Sequence, residues 1–160
     1  MNGHIKEVVS KAIDHILDRN YLEYVNLSFE LIFYANSNLY NSRKHLLKIE
    51  FCHSESQGPF ESDFFFKFKL KFSQKDDLHR FENSIKNKLK YLEITDDNIG
   101  LYIKGSNVLW GWISCAPDVM KELISTFFLM YNQEWKGEKI FIIINKRDDY
   151  FNYEPLAFIS

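Results

Sequence analysis

The stretch FFFKFKLKF, Phe64 to Phe72, leaves the chain few choices. Phe64, Phe66, Phe68, Leu70 and Phe72 alternate with Phe65, Lys67, Lys69 and Lys71. A period of two puts the first set on one side of a strand and the second on the other. The phenylalanine side must be covered, and the lysine side can stay wet. A sheet with one covered face is what an antiparallel arrangement tolerates.

Other segments alternate in the same way. In LSFELIFYA, Leu27, Phe29, Leu31 and Phe33 share a face; in KHLLKIEFCH, Leu47, Ile49 and Phe51 do. Glu30, Lys48 and Glu50 then fall on the lysine side, where opposite charges on neighbouring strands keep a sheet face soluble. NSNLYNS and SESQGP read as the intervening loops. Ile5, Val8, Val9, Ala12, Ile13, Ile16 and Leu17 recur at helical spacing and predict a helix over 4–20. Ser73, with Asp76 three residues on, caps a second helix that runs to Leu92. Ile99–Lys104 and Val108–Ser114 form a hairpin through Gly105-Ser106-Asn107. Ala116-Pro117-Asp118 opens a third helix, apolar nearly all round, which should be the best buried. KGEKIFIIIN suits a central strand, and Arg147–Ser160 reads as a loop with one last short strand. The order is α-β-β-β-α-β-β-α-β-(β): one α+β domain over 1–160, with about three helices on a largely antiparallel sheet.

Charge is uneven. Residues 1–63 hold six basic and nine acidic residues, 64–90 eight and three, and 91–160 six and ten, balances of −3, +5 and −4. A nucleic-acid binder is usually basic over the whole domain, and this chain is −2. Six glycines and no Gly-rich loop leave no phosphate cradle. Cys52 and Cys115 are too few for a disulfide framework or a four-ligand zinc site. The charged start MNGHIKEVVSKAIDHILDR has no apolar signal region and no run reaches membrane length, so a cytoplasmic protein is expected.

Five histidines, His4, His15, His45, His53 and His79, show no ligand spacing; His45 and His53 share one strand face but sit eight residues apart. No metal site and no cofactor is expected. Cys115, between a strand and a helix N-terminus, is the one candidate nucleophile, against the commoner reading of a buried strand-end thiol. Trp110 and Trp112 share a face and are expected to floor the core beneath the third helix. The tail joins carboxylates to aromatic rings at Asp148, Asp149, Tyr150, Tyr153 and Glu154, a combination suited to docking a basic protein. Asp96 and Asp97 make a second, weaker acidic spot.

A small, aromatic-rich, mildly acidic single domain with stretches such as SFELIFYAN and RDDYFNYE resembles the immunity proteins that bacteria pair with toxin domains, including those of contact-dependent growth inhibition. The resemblance implies a non-enzymatic protein that binds a cognate toxin, commonly a nuclease, and occludes its active site. Two alternatives stand beside it. One is a nucleic-acid-associated protein using the Lys67–Lys71 face and the Lys86, Lys88 and Lys90 side of the next helix; the other is an enzyme with dispersed active-site residues.

Overall fold

The computed structural model describes residues 2–18, 27–35, 44–54, 63–147, 150 and 152–160. Among them the chain forms three helices, α1 (Asn2–Leu17), α2 (Lys75–Tyr91) and α3 (Pro117–Tyr131). Seven strands accompany them: β1 (Leu27–Ala35), β2 (Leu47–Ser54), β3 (Asp63–Lys71), β4 (Ile99–Lys104), β5 (Val108–Ser114), β6 (Ile140–Arg147) and β7 (Tyr153–Ile159). The strands make one sheet in the order β4-β5-β3-β2-β1-β6-β7, antiparallel throughout. This is the α+β domain that the alternating and helical periods predict.

Both periods place their apolar residues against the same core. Phe29, Leu31 and Phe33 of β1, Leu47, Ile49 and Phe51 of β2, and Phe66, Phe68 and Leu70 of β3 are buried with the inner faces of all three helices. Phe127 of α3 sits at the centre, its ring edge-on to Phe66 (5.4 Å), Phe68 (4.8 Å) and Phe81 of α2 (5.4 Å). Such edge-to-face pairs add to the gain from area burial alone. The middle helix is α3: Lys121 bonds Asp14 of α1 at 2.6 Å, and Glu122 accepts from Lys88 of α2 at 3.0 Å. His4 Nε2 accepts the Ile140 amide at 3.0 Å and ties α1 to the start of β6.

The hairpin turn falls where the sequence puts it, with Gly105 at φ +66°, a left-handed angle that glycine adopts without a Cβ penalty. Four local readings change. Gln74, not Ser73, precedes α2, and it makes no side-chain cap; Asp76 and Asp77 instead lie in the first turn. Strand β6 is not central but one in from the edge, between β1 and β7, although Ile140 to Ile142 are buried on both of its faces. His45 precedes β2 rather than lying on the same strand as His53. Tyr153 and Glu154 belong to edge strand β7 rather than to a loop. The α1 extension to residue 20, most of the NSNLYNS and SESQGP loops, and Asp148 and Asp149 lie outside the described residues.

Candidate functional site

All three helices share one face of the sheet. The opposite face can be read row by row from the strand register. One row runs Gly100 (β4), Trp112 (β5), Lys67 (β3), Glu50 (β2), Glu30 (β1) and Asn145 (β6). The row beside it places Tyr102, Trp110 and Lys69 together, and the next places Lys104, Val108 and Lys71 together.

Trp110 and Trp112 therefore do not floor the core. Leu109 and Ile113 do, fully buried, with Gly111 between them. Every residue from Val108 to Ile113 is apolar or glycine, so the local pattern alone does not choose a side. The pairing of Trp110 with Lys69 and of Trp112 with Lys67 chooses it. Trp112 lies over Gly100, where a Cβ would strike its indole. Trp110 stacks on Tyr102 with ring centroids 4.5 Å apart and 26° between planes. The rings are 43% and 46% exposed, high for large apolar groups on a strand.

Charge divides this face into two halves. On the β2-β1-β6 half the acids already have partners. Glu30, nearly buried, takes Lys48 at 2.9 Å and the Asn145 amide at 3.0 Å. Glu50 takes Arg147 at 3.3 Å and a short hydrogen bond from Ser28. The Glu30 hydrogen bond raises the Lys48 pKa above the usual lysine value. Burial, and then nearby Lys48, hold His45 below the usual histidine value. On the β4-β5-β3 half, Lys67, Lys69, Lys71 and Lys104 are exposed around Phe65, Tyr102, Trp110 and Trp112. From Phe65 to Lys71 and across β4 and β5, no carboxylate occupies an outward position on this half. Lys67 lies 5.7 Å from the Phe65 ring centroid, a cation–π contact.

The other sequence candidates do not gather into one site. Lys86 and Lys88 sit on α2, on the far side of the sheet from Lys67–Lys71, bonded to Glu82 and Glu122. The single cationic surface of the nucleic-acid reading therefore does not form. Asp96 and Asp97 are exposed in a 3-10 turn (Asp96–Asn98) entering β4. Tyr150 is 84% exposed and Glu154 is exposed at the start of β7. Strands β4 and β7 are the two edges, six strand steps apart, or roughly 30 Å at about 4.8 Å per step. Tyr153 pairs with Arg147 on the helix-free face and lies beside Lys48. Among the described residues no three His, Cys, Asp or Glu side chains come together as metal ligands.

The residue that sequence reading missed is Arg147. It reaches Glu50 because β6 pairs with β1, a crossover with no local signal. The outward tryptophans had a faint one, since Leu109 and Ile113 hold the alternate positions and are better core formers.

Cys115 is no activated nucleophile. Burial pushes its thiol up to about 11, and burial followed by nearby Glu50 does the same for Cys52. Desolvation disfavours the thiolate, opposite in direction to the effect of a helix N-terminus. Both thiols should alkylate about a hundredfold more slowly at pH 8 than a free cysteine, because the thiolate reacts. Timed iodoacetamide labelling checks this, and rapid labelling of folded protein at either thiol would contradict it. The sign for stability follows. The folded state holds these protons more tightly, so their contribution is full below pH 9 and is lost as pH rises from about 9 to 11.

No family model, curated protein or solved structure matches the chain. No described helix is long and apolar enough to cross a membrane.

Proposed function

We propose that this chain is a non-catalytic protein-binding module that docks its partner through the β4-β5-β3 half of the helix-free face. The observation that carries this reading is the exposed Tyr102–Trp110 stack beside Trp112, set among four lysines. Tryptophan and tyrosine dominate binding energy where a partner seals them from water. Exposing them without that use costs solubility. The raised thiol pKa values weigh against a cysteine nucleophile. The resemblance to toxin-immunity proteins gives this reading a specific form, in which the docked partner is a cognate toxin whose active site the module occludes.

The expected hot spot is Trp110. Trp110→Ala should weaken the complex by about 2–4 kcal/mol, chiefly by faster dissociation. The test co-expresses the chain with the product of the open reading frame beside its gene. A toxic product neutralised by the wild-type chain but not by Trp110→Ala is the expected result. Full rescue by a folded Trp110→Ala variant would move the docking surface elsewhere. A neighbouring product that is harmless and forms no complex would remove the immunity form of the reading.

A further inference from the structure

We infer that the surface docked here is an acidic patch on a protein; this rests on the protein-docking reading above. The tail residues Asp148 to Glu154 had pointed to a basic partner, but the charge of the exposed half of the sheet points the other way. Lys67, Lys69 and Lys71 follow one another along β3, and Lys104 closes the row at the turn of the hairpin. Side chains on one face of a strand repeat every two residues, about 7 Å, so the three β3 lysines offer evenly spaced sites for carboxylates. The acids that could have neutralised them are engaged elsewhere on the same face, Glu30 with Lys48 and Glu50 with Arg147. A partner carboxylate over Lys69 and Lys71 would meet cations that no described ion pair uses. An apolar contact over Trp110 would exclude water from those pairs and strengthen them. Carboxylate clusters that hold divalent metals in nuclease sites are one surface of this kind.

The same observations favour a protein over a single-stranded nucleic acid. Base stacking needs open ring faces. Here Tyr102 and Trp110 cover one face of each other, and Trp112 lies against the Gly100 backbone. The hairpin edge also carries exposed Asp96 and Asp97 at its entrance, and the chain as a whole is −2. Proteins that bind nucleic acid are usually basic over the whole domain.

The experiment titrates the folded chain with three probes, poly-L-glutamate, poly-L-lysine and an oligothymidylate. The readout is the amide resonances of β3 to β5 and the indole N–H resonances of Trp110 and Trp112. Poly-L-glutamate is expected to shift the Lys67–Lys71 amides and both indoles at low salt and to lose its effect as salt screens the contact. K69E/K71E should weaken it by about tenfold or more, and K69Q/K71Q, which removes charge without adding any, by an intermediate factor. Poly-L-lysine should leave these resonances in place. The inference is overturned if poly-L-glutamate leaves the face unperturbed, if poly-L-lysine shifts it instead, or if oligothymidylate binds there more tightly than poly-L-glutamate. The docking reading fails separately. A partner lost by Trp110→Ala but indifferent to K69E/K71E keeps the face and removes its acidic ligand. A partner indifferent to both variants removes the face itself.

Discussion

Phe127→Ala should lower the unfolding free energy by about 3–5 kcal/mol, the cost of deleting a large ring from a core that cannot collapse onto the gap. Phe127 has no exposed surface, and its ring edges meet Phe66 and Phe68 of the sheet and Phe81 of α2. It is thus where α3, α2 and β3 are fastened to one another. A domain of this size has a total stability of about 5–15 kcal/mol, so the variant should lose about a fifth of it or more. Urea unfolding followed by circular dichroism measures the loss. A change below about 1 kcal/mol would mean that the three-way ring contact is not the centre of the core.

Gly111→Ala should be nearly as damaging, by about 3 kcal/mol, for a different reason. Exchanging a strand glycine for alanine ordinarily stabilises, because glycine loses more backbone freedom on folding. At Gly111 the new Cβ would strike the backbone carbonyl of Gly100 on the paired strand and come within 3.1 Å of the Phe68 ring. A backbone oxygen cannot rotate aside, so β4 must move off β5. Because β4 is an edge strand, the damage should stay local. Hydrogen exchange should quicken in β4 and β5 while β1, β2 and β6 remain protected. Trp112, which rests on Gly100, should shift its fluorescence as well. Unchanged exchange in β4 together with wild-type stability would show that the strands relax around the methyl group without parting.

The two substitutions mark the line between what was legible and what was not. Phe127 was legible: Met120, Leu123, Ile124, Phe127 and Phe128 recur at helical spacing, and period alone places them inward. The lysine row was legible for the same reason, since Phe66, Phe68 and Leu70 can satisfy only one face of β3. The need for glycine at position 111 was not, because it depends on which residue lies opposite. The tail was half legible: the last strand was expected, but Tyr153 and Glu154 were assigned to the loop before it, because YFNYEP has little period and β7 is held by pairing with β6 rather than by its own pattern.

The fold class, the element order and the buried side of each element with a clear period follow from local pattern, because burial of alternate or helically spaced apolar groups is a local demand. The strand order, and with it the surface proposed for docking, came only from long-range pairing. Pairing β5 with β3 turned Trp110 and Trp112 outward beside Lys67 and Lys69, and pairing β6 with β1 brought Arg147 to Glu50, while Lys69 and Lys71 enter no ion pair among the described residues. The tertiary structure also sent the Lys86 and Lys88 helix to the opposite side, and Glu154 and the Asp96-Asp97 turn to opposite edges. These are contacts between residues some 40 to 120 positions apart. No local period encodes them, because strand order is chosen by how whole faces fit together around one core.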